Sequence, residues 1–334
     1  MNTENILEDF KKRLKKISYS MCKNRLKEEN LMKKDVELIT DCRNQTIESL
    51  KRVSLQSIVN INDRPITTLK IFNDRIYYGT RDGKLCDIGL NDNTNISKHQ
   101  ISEHPISCIV QKEINFLITD FGGNIYSFEN FEAKLLKNVE SRILNFNFQK
   151  ECNFFCYNDE NASFHILDAS KLVNLAKVDT NNSIYNLDLH PDGNLLMVNH
   201  MNSDIYDLRC LDVIMRYGKN VMSGAFMKNG FMINIGTKEG VLSCYDIRNI
   251  KNVGNILSHK SSILNVTNYD FFTVSYSADN DLNFSSVFMS QIFNKFDFDS
   301  NITGFDKSEE YLAIGFTNKT IKIFRFYFLQ IYSF

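Results

Sequence analysis

One pattern recurs along most of this chain at intervals of about 40 residues. Each copy opens on an alternating apolar segment, passes a polar turn into a short apolar run, and passes a second tight turn into another alternating segment. The copies begin at Ile66, Ile106, Ile143, Ile184, Val221, Ile263 and Ile302. A unit of this length, repeated at a steady spacing, is typical of solenoids and propellers, so it constrains the whole fold.

The periodicity inside each unit indicates strands. In the fourth unit Leu187 and Leu189 alternate with polar residues, and Pro191-Asp192-Gly193 supplies a turn. No window of ten or more residues after Leu55 keeps a helical period. With a weaker fourth strand in each unit, we predict an all-β fold, a seven-bladed propeller over residues 54–334. The last blade lacks its own fourth strand, and residues 55–61 are placed to supply it.

Composition and cysteine spacing argue against several classes of function. The 334 residues are 43% hydrophobic and 24% charged, which is ordinary for a globular protein with a large core. Cys152 and Cys156 form the closest cysteine pair, and no second pair completes a zinc set. No apolar run approaches eighteen residues. We therefore expect reduced thiols, no metal or other cofactor, no small-molecule substrate and no membrane contact.

Residues 1–53 form a leader with a different pattern. Ile6, Leu7, Phe10, Leu14 and Ile17 fall at helical spacing. Two more helices are predicted, one around residues 21–32 and one around residues 46–53. Such short helices are marginal alone, so we expect them to dock on the propeller or on a partner.

The leader is also basic. Residues 1–34 hold ten cations against five acids, a net +5 in a chain whose total is −1. A basic segment on a mildly acidic body favours an anionic partner. A lysine-rich helix face that is simply solvated is the alternative. The candidate RNA-contacting residues are Lys11, Lys12, Arg13, Lys15, Lys16 and Arg25.

Two of the third strands end on the same phrase, Tyr-Asp-x-Arg. The copies are Tyr206, Asp207, Leu208, Arg209 and Tyr245, Asp246, Ile247, Arg248. The phrase resembles the end of the third strand in WD-repeat proteins, where Trp-Asp stands, although this chain has no tryptophan. The resemblance implies that the tyrosines fill the tryptophan position and that the aspartates turn the chain outward. In other blades that position is held by Phe128, Leu167 and Phe324.

The resemblance extends to other repeat positions. The histidine that opens a WD repeat survives at His104 and His259, for which we predict buried structural roles. His165 and His190 are predicted to face solvent. The turn acid survives as Asp82 and Asp279, with near-substitutes at Asn161, Glu239 and Asn318.

The stretch "NINDRPITTLKI", from Asn60, resembles the entry to the first blade in the pre-mRNA-processing factor 4 family of the U4/U6 small nuclear ribonucleoprotein. Asp63, Arg64 and Pro65 carry the match. The segment "ISYSMCKNRLKEENLMKK", from Ile17, resembles the helix that precedes this entry in the family, and "IYNLDLHPDGNLLMVNHMNSDIYDLRCLDVIM" resembles one of its blades. For Asp63 and Arg64, a turn or ion pair that fixes the closing strand is the alternative to a partner contact.

The family resemblance implies a non-catalytic scaffold subunit of the U4/U6 and U4/U6.U5 particles in the nucleus. The implied partners are a protein resembling pre-mRNA-processing factor 3, the base-paired U4 and U6 RNAs, and other tri-snRNP proteins. The chain begins too late to include the family's longer N-terminal region, so contacts made through that region are not carried over.

Two other function classes are open to a propeller. A WD-repeat adaptor of another complex, such as a ubiquitin ligase or a ribosome-assembly particle, would share every blade feature. An enzyme would need convergent acids, histidines or metal ligands on the inner strands, where Asp188 and Asp306 are the only evident acids. We therefore expect a binding protein without catalytic residues.

Overall fold

The computed structural model describes residues 6–16, 20–21, 23, 53–61, 64–90, 95–112, 115–269, 272–287, 290–308 and 310–326. Helix α1 spans residues 6–16, and residues 20, 21 and 23 are also helical. The rest of the second predicted helix and nearly all of the third lie outside the described residues. So do Arg25, Asp63 and the tail beyond residue 326.

Seven antiparallel four-stranded sheets form the blades, so the predicted seven-bladed propeller is confirmed. Blade 1 consists of β2 (Ile66–Phe72), β3 (Arg75–Thr80), β4 (Lys84–Gly89) and β5 (Ile96–Gln100). Blade 2 consists of β6 (Ile106–Lys112), β7 (Asn115–Asp120), β8 (Asn124–Glu129) and β9 (Glu132–Asn138). Blade 3 consists of β10 (Ile143–Gln149), β11 (Phe154–Asp159), β12 (Ser163–Asp168) and β13 (Asn174–Asp179).

The later blades repeat this order. Blade 4 consists of β14 (Asn186–Leu189), β15 (Leu195–Asn199), β16 (Ser203–Asp207) and β17 (Asp212–Tyr217). Blade 5 consists of β18 (Val221–Phe226), β19 (Met232–Thr237), β20 (Val241–Asp246) and β21 (Lys251–Leu257). Blade 6 consists of β22 (Ile263–Asn268), β23 (Thr273–Ser277), β24 (Asp281–Ser286) and β25 (Gln291–Asp297). Blade 7 contains β26 (Ile302–Lys307), β27 (Tyr311–Phe316) and β28 (Thr320–Arg325).

The fourth strand of blade 7 comes from ahead of blade 1. Strand β1 (Ser54–Asn60) pairs antiparallel with β28, with Val59 opposite Ile321. Val59 is buried, whereas its neighbour Ile58 is 53% exposed, as expected for alternating sides of an outer strand. The predicted closing strand is therefore confirmed, and it joins the two ends of the ring.

The strand order defines two faces of the ring. In each blade we label the strands a to d from the channel outward, so β2 is strand a of blade 1. Because successive strands are antiparallel, the turns between a and b and between c and d lie on one face, the AB–CD face. The turns between b and c and the connections between blades lie on the other, the BC–DA face.

Helix α1 docks in the seam between blades 3 and 4. Ile6, Phe10 and Leu14 are buried, and the Phe10 ring meets the Phe154 ring edge-on with centroids 5.2 Å apart. Their partners in one core cluster come from both blades and include Cys152, Phe154, Cys156, Phe164, Ile166, Leu196, Val198 and Leu208. Each such side chain contributes about 1.5–3 kcal/mol when it leaves water. The helix docks on the propeller itself.

Candidate interaction surfaces

The Tyr-Asp-x-Arg phrase fixes the CD turn of blades 4 and 5. In blade 4, Asp207 Oδ1 accepts hydrogen bonds from the backbone N–H and the Nε–H of Arg209, at 2.9 and 2.8 Å. Asp246 and Arg248 repeat the arrangement in blade 5. Burial opposes ionisation of Asp207, but the Arg209 guanidinium holds its pKa below the usual range. The Asp207–Arg209 pair therefore stabilises the turn locally.

The residues at the tryptophan position pack between blades. Tyr206 is buried against Phe164 of blade 3, with ring centroids 4.9 Å apart. Tyr245 is half-buried, and its ring lies 5.1 Å from the Tyr217 ring. In three of the other five blades the residue at this position is also buried: Phe128, Leu167 and Phe324.

The two repeat-opening histidines differ from one another. His259 is buried, with Nδ1 2.6 Å from Asp281 Oδ1 and Nε2 2.7 Å from Ser275 Oγ. Burial lowers the pKa of His259. His104 is exposed, in contrast to the prediction, and in its blade Ser102 donates to the buried Asp120 instead.

The two predicted turn acids, Asp82 and Asp279, both lie on BC turns. Asp82 lies on the BC turn of blade 1 and accepts a hydrogen bond from Thr80 Oγ1 at 2.7 Å. Asp279 is exposed on the BC turn of blade 6, and the acid that meets His259 is Asp281, the first residue of β24.

The prediction that His165 and His190 face solvent is wrong. His165 is buried in β12, where Nε2 lies 3.1 Å from Asp159 Oδ2 and the ring stacks on Tyr157. His190 is buried on the AB turn of blade 4, with Nε2 2.8 Å from the Gly230 carbonyl oxygen of the next blade. The alternation of apolar and polar residues shows neither contact, because one partner lies on the neighbouring strand and the other lies in the next blade.

The two acids on the inner strands join neighbouring blades. Asp188 accepts a hydrogen bond from the Phe226 N–H at 2.7 Å, and Asp306 accepts one from the Ile71 N–H at 2.8 Å. Lys70 Nζ lies 3.0 Å from Asp306. Burial raises the pKa of Asp188 to about 7. Both carboxylates line a cavity of about 200 Å³ in the channel. Their hydrogen bonds hold neighbouring blades together.

An apolar arc lies at the channel mouth on the BC–DA face. In six blades the second residue of strand a is the extra residue of a β-bulge, for example Leu144 in β10 and Leu264 in β22. A bulge changes the direction in which the side chain of the extra residue points. The bulge residues of blades 3, 5 and 6 are apolar, and so is Tyr185, which directly precedes β14 in blade 4. We call these four residues the apolar arc: Leu144, Tyr185, Met222 and Leu264.

The arc is the apolar part of this channel mouth. Leu144, Tyr185 and Leu264 are about 40% exposed, at 38%, 41% and 40%. The corresponding residues of blades 7, 1 and 2 carry hydroxyl groups: Thr303, Thr67 and Ser107. Partly exposed apolar side chains grouped at one channel mouth are typical of a protein-binding surface.

Helix α1 carries most of the candidate RNA-contacting cations on the AB–CD face. Lys12, Lys15 and Lys16 are exposed, and Lys11 lies 3.9 Å from Glu8. Arg13 is bound to the propeller, since its guanidinium lies 3.1 Å from Asp168 at the end of β12. Arg13 therefore anchors the helix.

The family motif lies where the chain passes from the closing strand into blade 1. Arg64 is exposed, Pro65 is half-buried, and the Pro65 carbonyl accepts a hydrogen bond from the Arg81 N–H at 3.0 Å. Asp63 is outside the described residues. The described part of the motif thus fixes the entry to β2 and leaves the Arg64 side chain accessible.

The comparisons add no relative. No family model matches the chain, and a search of curated proteins found no significant match. Among the described residues, no helix is long and apolar enough to cross a membrane, and no group of three His, Cys, Asp or Glu side chains is arranged to hold a metal. The fold is consistent with a WD-repeat protein.

Proposed function

We propose that this protein is a scaffold subunit of the U4/U6 small nuclear ribonucleoprotein and its tri-snRNP. The propeller fits a WD-type scaffold or adaptor role. The finer assignment rests on the resemblance of the Asp63-Arg64-Pro65 entry, and of the segment from Ile17, to the pre-mRNA-processing factor 4 family.

The observation that carries the scaffold role is the separation of two exposed surfaces on one closed ring. The apolar arc lies on the BC–DA face, and the cations of α1 lie on the AB–CD face. Phe10 and Leu14 bind α1 to the ring, so both surfaces are held in fixed relation. The arc would take a segment of the protein resembling pre-mRNA-processing factor 3, and the lysines of α1 would lie along RNA phosphates.

The test of the assignment is affinity purification of the tagged full chain from its own cells, with sequencing of the bound RNA and identification of the bound proteins. Recovery of U4 and U6 RNA together supports the proposal. Recovery of cullin-type proteins or pre-ribosomes without those RNAs overturns it and favours an adaptor of another complex.

Two matched pairs of substitutions test whether the apolar arc is the docking surface. Leu144→Lys with Leu264→Lys should reduce recovery of the protein partner at least tenfold, because two lysines would replace the apolar contact. Thr67→Lys with Thr303→Lys makes the same charge change at the same bulge position on the polar side of the mouth. Equal losses from both pairs would show that the arc is not the docking surface.

A further inference from the structure

The CD turn of blade 3, residues 168–172, is bound by cations from other elements. Asp168 Oδ1 accepts hydrogen bonds from the N–H groups of Ser170 and Lys171, both at 2.9 Å, and its other oxygen meets Arg13 of α1. Burial opposes ionisation of Asp168, but these donors lower its pKa. These contacts stabilise the turn.

Two lysines of blade 2 reach the same turn. Lys112, the last residue of β6, has Nζ 3.3 Å from the Ala169 carbonyl oxygen, and Lys137 of β9 has Nζ 2.6 Å from the Leu172 carbonyl oxygen. An ammonium group has three N–H donors, so each lysine keeps donors beyond the one that the carbonyl accepts. Lys171 is exposed on the turn itself. We call Lys112, Lys137 and Lys171 the blade-3 platform.

Helix α1 brings a net charge of +3 to this turn, although the chain as a whole is nearly neutral. Helix α1 carries five cations against Glu8 and Asp9, and both acids are paired on the helix with Lys11 and Arg13. Burial lowers the pKa of Lys137, and a bound anion would offset that desolvation.

The platform lengthens the basic surface beyond the helix. Lys11 to Lys16 span about 7.5 Å along the helix axis, at about 1.5 Å per residue. The Arg13–Asp168 contact joins this helix to the turn that the platform surrounds. A track of lysines, spread over a helix and two blades, matches a chain of phosphates better than it matches a single anion.

We propose that the blade-3 platform, together with the lysines of α1, binds the phosphate backbone of RNA. This inference deepens the proposed function and rests on it for the identity of the RNA. Lysines act as point charges toward phosphate, so the platform would position the RNA without reading its sequence. An acidic protein segment is the competing occupant.

The test uses the full chain and U4/U6 RNA transcribed in vitro, with affinity measured from 50 to 300 mM salt. Lys112→Gln, Lys137→Gln and Lys171→Gln are combined in one variant. Each lost phosphate contact lowers the slope of log K against log salt by about 0.7 to 0.9, so the variant should lose roughly 2 from the slope and about 10- to 100-fold in affinity.

Two further variants keep the result interpretable. Lys219→Gln, Lys260→Gln and Lys319→Gln remove the same charge from exposed positions on the BC–DA face and should leave the slope unchanged. Lys112→Arg, Lys137→Arg and Lys171→Arg keep the charge and should keep the wild-type slope. A matching circular dichroism melt shows that each variant is folded.

The outcomes separate this inference from the proposed function. A wild-type slope in the platform glutamine variant overturns the platform, as does a wild-type chain that binds poly-glutamate and no RNA. Neither result removes the U4/U6 assignment if those RNAs are still recovered from cells. Loss of slope on an unrelated RNA, with no U4 or U6 recovered from cells, supports the platform and overturns the assignment.

Discussion

Asp188 lies at the channel with its carboxylate turned toward the backbone of the next blade. Burial raises its pKa to about 7, from an ordinary value near 4. The folded protein therefore keeps a proton that the unfolded chain loses, and the stability this contributes is present below about pH 4 and is lost as the pH rises to about 7.

Asp188→Asn should remove this pH dependence while keeping a side-chain oxygen for the Phe226 N–H. Wild type should lose up to a few kcal/mol more than the variant between pH 5 and pH 8, since a tenfold change in a protonation constant is about 1.4 kcal/mol. Urea unfolding at both pH values measures the difference. Identical pH profiles would show that Asp188 ionises normally.

His259 and His104 occupy the same repeat position but differ in burial, which gives a matched pair. His259→Ala leaves Asp281 and Ser275 without their buried partner and should lower the free energy of unfolding by about 2–3 kcal/mol. His104→Ala, at an exposed position, should cost under about 1 kcal/mol. Urea unfolding compares them, and equal costs would mean that the buried network is not stabilising.

These histidines also show where residue-level prediction ends. The repeat pattern predicted that His259 is buried, but it predicted the same for the exposed His104 and did not identify Asp281 as the acid that meets His259. It failed for His165, since a third strand is covered on both sides by neighbouring blades and alternation then no longer separates buried from exposed positions. The signal that was available is the acid at the end of the second strand, Asp159, which lies beside His165 across the hairpin.

Helix α1 is short, so its stability depends on the seam that it fills. Phe10→Ala with Leu14→Ala should undock it, because each substitution removes about 2–5 kcal/mol of buried contact. Hydrogen exchange of residues 6–16 should then rise to the rate of an unstructured peptide. Lys12→Ala, on the exposed face of the same helix, is the control and should keep the protection.

Proteolysis within residues 6–16 gives a second measurement of the same change. Resistant α1 in the double variant would mean that Ile6 and the Arg13–Asp168 contact suffice to hold the helix.

At the element scale the sequence predicted more of the fold than of the surfaces. Hydrophobic spacing predicted α1 and its buried side, but the partners lie between residues 152 and 208, and no local pattern joins them to Phe10. The bulges at Leu144, Met222 and Leu264 in the apolar arc are likewise a property of strand pairing. The sequence alone groups Arg13 with the RNA-contacting cations. Its ion pair with Asp168 joins residues 155 positions apart, so no local pattern indicates it.

Closure of the ring depends on one strand, β1, which precedes blade 1 in the chain and completes blade 7. Seven blades come from consecutive segments, but blade 7 is completed by β1, so the covalent chain closes the ring through β1–β28 pairing. Without that strand, β28 would be an open edge, and open edges template aggregation. Closure should therefore control the cooperativity of unfolding more than any internal strand does.

Val59 and Ile58 test closure with neighbouring residues of the same strand. Val59 is buried against Ile321, so Val59→Asp places a charge without a partner in the closing sheet and should cost about 3–5 kcal/mol. Ile58→Asp, at a position 53% exposed, should change the free energy of unfolding by less than about 1 kcal/mol. Thermal unfolding with light scattering should show early aggregation for the first variant alone. Equal melting temperatures would mean that blades 1 and 7 hold together without β1, and that closure lies in the inner-strand contact that includes Asp306 and Ile71.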